Sequence, residues 1–382
     1  MYEYRTALAI LGLCLAACSS GVAQEDFDAE LVGAVCERFV RCGVSPDEDS
    51  CKRGQFQGFI GQRGLTARHG AAIRAGQLRY DAAAAKACLE KIRAGACDVH
   101  PMPAQMLTHG VGMSVDCRFL FGEVEDGEPC HQNGECGARS ACTSVGPFSC
   151  GTCQPLRAEG MSSASPSLCE EGLAYFQSTC REPLKEGESC ADSDTSGHNP
   201  CARGLFCDQD TRHCKRPTAL GEACEWAGTC HWTLTCIDDT CQPPRGKGAD
   251  CTAKTETTSL FGWSQCQHEL FCDADPGAPG KCREQLGEGA SCRDFWECGQ
   301  GLYCDGGDPR NGQRGTCRGL AREDEDCTQR FCDARFYCAE ASHTCQPRRQ
   351  FGEPCTGEPA SCVLGSLCDQ GTCTSLDLSC RS

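Results

Sequence analysis

Beyond the first 17 residues, no segment approaches the roughly 20 consecutive apolar residues that a membrane-spanning helix needs. Basic residues are also short: 36 Lys and Arg stand against 53 Asp and Glu, for a formal charge of −17. That balance argues against nucleic acid, whose binding draws on cationic contacts to phosphate. It equally disfavours electrostatic docking on anionic lipid. Catalytic signatures are missing too, with no G-x-S-x-G, no H-E-x-x-H and no glycine-rich phosphate loop. Nothing calls for a cofactor. The paired C-x2-C knuckles of structural zinc sites are lacking, since only Cys150/Cys153 has that spacing.

What the chain has is cysteine, 40 in 382 residues, a density that signals a disulfide scaffold. Disulfides persist in oxidising compartments, so the composition excludes a cytosolic home. Seven times after residue 130 a cysteine is followed, five residues later, by another: Cys136/Cys142, Cys201/Cys207, Cys230/Cys236, Cys266/Cys272, Cys298/Cys304, Cys332/Cys338 and Cys362/Cys368. A spacing held constant while its flanks vary marks a repeated unit.

Alignment on that spacing exposes the rest of the unit. A Gly-x-x-Cys opens it at Gly127/Cys130, Gly187/Cys190, Gly221/Cys224, Gly248/Cys251, Gly289/Cys292 and Gly352/Cys355, whereas the unit opening at Cys327 has Asp324 in place of the glycine. A large apolar residue lies one or two positions before the second paired cysteine in six of the seven units, as in Leu205-Phe206, Leu234, Leu270-Phe271, Leu302-Tyr303, Phe336-Tyr337 and Leu367. A polar turn follows, then a closing cysteine: Cys214, Cys241, Cys282, Cys317, Cys345 and Cys373, with either Cys150 or Cys153 closing the first unit. A degenerate unit spans 153–180, with Cys169, Tyr175 where a cysteine belongs, and Cys180, leaving three cysteines there; Cys380 stands outside the scheme, as a free thiol or an intermolecular bridge.

The physical chemistry of such a unit follows from its size. About 30 residues cannot bury enough apolar surface to offset chain entropy near 1.5 kcal/mol per ordered residue. One buried leucine or aromatic supplies about 1.5–3 kcal/mol, and a bridge closing about 15 residues adds roughly 3 kcal/mol. Two bridges per unit therefore outweigh its apolar contribution. The expected fold is a tandem array over 127–380 of small disulfide-rich repeats, short β-ribbons and loops with little core. Loops stretched between Cys190 and Cys201 and between Cys251 and Cys266 are where a binding surface would sit, and Trp226, Trp232, Trp263 and Trp296 lie in this region, as contact residues or packed on disulfides.

Residues 25–120 read differently, as a small disulfide-stapled α-helical domain holding Cys36, Cys42, Cys51, Cys88, Cys97 and Cys117. Phe27, Leu31, Val32, Val35, Phe39 and Val40 recur at helical spacing, with Asp26 or Asp28 as the cap and Gly43 and Pro46 as the stop. A second helix is expected from Asp81 to Arg93, stopped at Gly95, and residues 52–76 allow shorter ones. Six cysteines permit about fifteen pairings, and spacing does not choose among them. His69, His100 and His109 lack partners for metal or catalysis and read as exposed or capping residues.

Residues 1–17 form a signal: Arg5, an apolar run from Ala7, then Leu15-Ala16-Ala17-Cys18. Those four residues resemble the lipobox of bacterial lipoproteins. The resemblance implies that Cys18 is acylated and becomes the first mature residue. Ser19, where retained inner-membrane lipoproteins commonly carry aspartate, implies an outer-membrane or surface position. Cleavage after Ala23 is the alternative, giving a soluble secreted chain. Any membrane attachment is thus through lipid.

The repeat, Gly-Glu-x-Cys followed by C-x5-C with Leu-Phe or Leu-Tyr before the second cysteine, resembles the amino-terminal cysteine-rich domain of Dickkopf proteins. Cys292, Cys298 and Cys304 fit best, Cys130/Cys136/Cys142 and Cys224/Cys230/Cys236 share the triple spacing, and Leu184 to Cys190 matches the linker that introduces it. Those proteins are secreted antagonists of a Wnt co-receptor, an activity that tandem copies behind a lipoprotein-like signal do not imply here. The expected function is non-enzymatic binding, adhesion or display toward an unknown protein or surface ligand. A protease inhibitor presenting Arg203, Arg310 or Arg335, or a soluble signalling antagonist, is the alternative.

Overall fold

The computed structural model describes residues 21–53, 65–98, 117–143, 150–191, 199–252, 265–308 and 312–375, apart from 75, 77, 131–132, 209, 225–228, 268, 276–277, 300, 329, 334, 351, 356 and 364–365. Cys18, His100, His109, Trp226, Trp263, Arg310, Cys380 and most of both stretched loops (192–198 and 253–264) lie outside these residues.

The amino-terminal part is helical: α1 Phe27–Arg41, α2 Glu48–Arg53, α3 Leu65–Arg74 and α4 Ala82–Ala94. The apolar stripe of α1 is its buried face, with Phe27, Leu31, Ala34 and Val35 fully enclosed against Leu65, Leu89, Phe119 and Leu120. Asp81 caps α4, its carboxylate accepting from the amides of Ala83 and Ala84 at 3.0 Å. At α1 the capping expectation fails. Asp26 makes no side-chain cap bond, and Asp28 reaches across instead to accept from the Leu65 amide at 2.7 Å, fixing the start of α3. The carbonyls at the carboxyl end of α4 are taken up by arginines of α1: Arg38 donates to Ile92 and Ala96, and Arg41 to Arg93 and Gly95. The carbonyls of the last helical turn have no partner within their own helix, and those of Gly95 and Ala96 lie just beyond it.

Each staple joins a different pair of elements. Cys36–Cys51 ties α1 to α2, Cys42–Cys97 ties the end of α1 to the segment after α4, and Cys88–Cys117 ties α4 to the chain leading out of the head. His69 is 3% exposed on α3, so the expectation of an exposed or capping histidine is wrong.

After residue 120 the described chain consists of two- and three-stranded antiparallel sheets of very short strands. One backbone frame recurs eight times. The amide of the turn residue donates to the carbonyl of the closing cysteine, as from Gly127 to Cys153, Gly187 to Cys214 and Gly352 to Cys373, each at 2.8 Å. The closing cysteine's amide returns a bond to the residue after that turn, as from Cys214 to Glu188 at 2.9 Å. The turn glycines have φ between 79° and 89° at Gly127, Gly160, Gly187, Gly221, Gly248, Gly289 and Gly352, a region where a β-carbon is penalised. Asp324, in the unit without the glycine, takes the same place at φ 62° and keeps the frame bond to Cys345 at 2.8 Å.

Within each ribbon the third and fourth cysteines stand directly opposite one another, as in Cys207↔Cys214, Cys236↔Cys241 and Cys304↔Cys317. They do not bond to each other. The first cysteine pairs with the third, in Cys130–Cys142, Cys190–Cys207, Cys224–Cys236, Cys251–Cys272, Cys292–Cys304, Cys327–Cys338 and Cys355–Cys368. The second pairs with the fourth, in Cys136–Cys153, Cys201–Cys214, Cys230–Cys241, Cys266–Cys282, Cys298–Cys317, Cys332–Cys345 and Cys362–Cys373. The two crossed bridges, with the apolar residue two positions before the third cysteine (Leu205, Leu234, Leu270, Leu302 or Phe336), make the small core of five units.

Candidate functional site

With crossed bridges filling each unit, the places left for function are the surfaces the frame presents and the joints between units. The joints are built from arginine. Arg118, at the exit of the helical head, donates to the carbonyls of Asn133, Cys136, Gly137 and Ser140 at 2.7–3.1 Å, gathering the first repeat around one guanidinium. Burial lowers its pKa to about 10. Arg293 is 6% exposed; its backbone amide and Nε donate to the two carboxylate oxygens of Glu297, each at 2.8 Å, while its Nη1 donates to Ala274 and Asp275 of the preceding unit. Arg330 reaches the Gly319 carbonyl at 3.0 Å, and Arg348 the carbonyls of Ala360 and Cys362. In each linker one residue pairs in parallel with the second cysteine of its unit, as Val124↔Cys136, Leu286↔Cys298 and Arg349↔Cys362. Adjacent units are therefore hydrogen-bonded together, not strung on free tethers.

One repeat folds back on the head. Trp232, between Cys230 and Cys236, lies 5.7 Å from the Phe39 ring, and its Nε1 donates to the Cys97 carbonyl at 2.8 Å. Beside it, His231 shares a 2.7 Å hydrogen bond with Thr233, and burial lowers its pKa despite the opposing pull of Asp98. Trp232 is thus an internal wedge. Spacing carries no signal for this contact, which joins residues 135 apart.

The candidate arginines separate by environment. Arg335 is exposed but held by Asp333 at 2.9 Å and laid 5.5 Å over the Phe336 ring. Arg203 is exposed in its five-residue loop, near enough to the head to lower the Arg38 pKa, second only to burial. Among the described residues Met161 and Leu220 are exposed apolar side chains in earlier units, and the exposed large aromatic rings lie in two neighbouring units. Phe295 is 50% exposed and stacked 4.0 Å from Trp296, and Phe331 is 70% exposed and set edge-on to Tyr303 at 5.3 Å.

Sulfur clusters such as Cys130, Cys136 and Cys153 lie within 4.8 Å of one another. Their atoms belong to the crossed bridges, so in the oxidised chain they offer no thiolate to a metal.

The degenerate unit is resolved by the frame. Gly160 donates to the Cys180 carbonyl at 2.8 Å and Cys180 to Met161 at 3.0 Å, so Ser163 and Tyr175 hold the first and third cysteine positions. Cys169–Cys180 is its single bridge, and Cys153 belongs to the unit before, so two cysteines serve this unit instead of three. Both ends of the outer bridge are replaced together. Cys150, exposed beside the first unit, is also oxidised, to a partner outside the described residues.

A chain with this many bridges belongs in an oxidising compartment, and no helix among the described residues is long and apolar enough to cross a membrane. A scan of family models and searches of characterised proteins and of solved structures find no match to this chain.

Proposed function

We propose that this protein is a non-enzymatic, surface-displayed binding protein, tethered by lipid at Cys18 and presenting variable loops on a repeated disulfide frame. The observation that carries the reading is the constancy of the frame against the variety of what hangs on it. Eight units keep the same pair of backbone bonds at 2.8–3.0 Å, while the five-residue loop between the second and third cysteines reads Ala-Arg-Gly-Leu-Phe in one unit, His-Trp-Thr-Leu-Thr in the next and Asp-Ala-Arg-Phe-Tyr in another. A stapled frame with divergent loops is an economical way to hold contact surfaces away from a membrane. The exposed rings of Phe295 and Phe331 make their two units the favoured contact region, since aromatic side chains dominate binding hot spots. The Dickkopf-like spacing supports a shared cysteine framework and not a shared receptor.

Radioactive palmitate labelling of wild-type and Cys18→Ser chains, with protease shaving of intact cells, tests the tether. Label and surface cleavage should both be lost in the variant. A mature wild-type chain beginning at Gln24 without acyl mass sinks this part of the reading. Exposed Arg203 in its disulfide-framed loop supports a protease inhibitor as second reading. A panel of trypsin-like enzymes left uninhibited disposes of it.

A further inference from the structure

The two bridges of a unit are not equivalent. The second-to-fourth bridge has its closing cysteine fully enclosed in every unit, at Cys153, Cys180, Cys214, Cys241, Cys282, Cys317, Cys345 and Cys373, and its second cysteine buried in all but one, where Cys332 is partly open. The first-to-third bridge lies outside it, and its third cysteine is partly open at Cys207, Cys272, Cys304 and Cys368. Among bridges with both partners described, Cys338 is the one cysteine that is exposed, while Cys327 across the bond is 6% exposed. The chain also carries its own control. In the degenerate unit the outer bridge is absent from both ends, yet the turn bond, the return bond and the Ser163-to-Ser178 bond at 2.8 Å all persist on Cys169–Cys180 alone. One inner bridge is enough to hold the frame.

We propose that Cys327–Cys338 is a thiol-exchange site, opened by a low-molecular-weight thiol to a mixed disulfide at Cys338 while Cys332–Cys345 keeps the repeat folded. Access decides which sulfur is attacked. The incoming thiolate bonds to Cys338 Sγ, the Cys327–Cys338 bond breaks, and its electron pair leaves on Cys327 Sγ. Cys327 then takes up the proton the incoming thiol gave up. No external oxidant enters, since one disulfide is exchanged for another. The turn of this unit has Asp324 at φ 62°, where the other described units have glycine, so its frame starts from a less favourable backbone. Opening frees one end of the short segment from Cys327 to Cys332, which carries the 70% exposed Phe331. A redox modification would thereby act on the ring most available to a partner.

The test uses the full oxidised chain and reduced glutathione as probe. Brief exposure to limiting glutathione, acid quench, alkylation and non-reducing peptide mapping should place the first adduct on Cys338, with Cys327 alkylated. That bridge should open at least about tenfold faster than any second-to-fourth bridge. First opening at Cys332–Cys345, or adducts spread evenly over the units, overturns the assignment. A second variant, Cys327→Ser with Cys338→Tyr, copies Ser163 and Tyr175. It should secrete with Cys332–Cys345 intact and should shift the first adduct to another outer bridge. Scrambling of its remaining bridges would refute the claim that the inner bridge suffices.

Discussion

Replacing Trp232 by alanine should destabilise a domain to which that residue does not belong in sequence. The indole contributes its ring contact with Phe39, about 0.5–1.5 kcal/mol beyond area burial, and the Nε1 bond to Cys97, about 1 kcal/mol. Loss of its half-buried apolar surface adds about 1 kcal/mol more, for a total near 3 kcal/mol. Among the described residues every α-helix lies between 27 and 94, so ellipticity at 222 nm under non-reducing conditions reports the head. For a domain of this size 1 kcal/mol moves the midpoint by about 4–8 °C, and Trp232→Ala should lower it by about 12–24 °C. Trp232→Phe, which keeps a ring but loses the donor, should cost about a third as much. A midpoint unchanged in Trp232→Ala would mean that the repeat holding Trp232 does not rest on the head, and the internal-wedge reading would fall.

Four further outcomes follow. Below the ordinary histidine value of 6.5, the unfolded chain takes up a proton that buried His231 resists. Stability of the docked head should hold above that pH and fall as the medium acidifies from about 7 to 5, and His231→Gln should flatten the profile of melting against pH. Arg118→Met leaves carbonyls of the first repeat without their donor, and amide exchange across 133–142 should accelerate by a factor of about 100 or more, since each buried unsatisfied group costs about 1–3 kcal/mol. Gly352→Ala meets no atom within 4 Å but sits at φ 81°; it should cost about 1 kcal/mol by denaturant titration, through backbone conformation alone. Ser163→Cys with Tyr175→Cys should restore the missing outer bridge, read as a 2 Da mass loss on oxidation, and add roughly 3 kcal/mol, whereas either single change leaves a titratable thiol.

Much of this fold is legible in the chain because the periodic signals are local. The C-x5-C spacing, the glycine three residues before most opening cysteines and the apolar residue before the third all act within a single unit, the stripe of α1 acts within one helix, and the Asp81 cap acts within a single turn. What sequence does not carry is partner choice at a distance. The third and fourth cysteines face each other across the ribbon, yet both crossed and uncrossed pairings satisfy the same spacing, and only the packed frame selects first with third and second with fourth. Asp28 sits two residues from the capping position but bonds an amide 37 residues away. His69 lies in a glycine- and arginine-rich stretch with no clean period, so its burial leaves no trace in the pattern. The degenerate unit was half visible: Tyr175 marks the lost cysteine, but Ser163 is recognisable as its counterpart only through the bond from Gly160 to Cys180.

The wedge at Trp232 also sets an order of events in biosynthesis. It meets the Cys97 carbonyl across 135 residues, and a ribosome adding about 5–20 residues per second needs roughly 7–27 seconds to cover that gap. For that interval a newly made head has its helices but not the indole that covers Phe39. The bare ring is a place where a chaperone can hold the nascent chain, and a truncation before residue 232 would leave it uncovered for the life of the molecule.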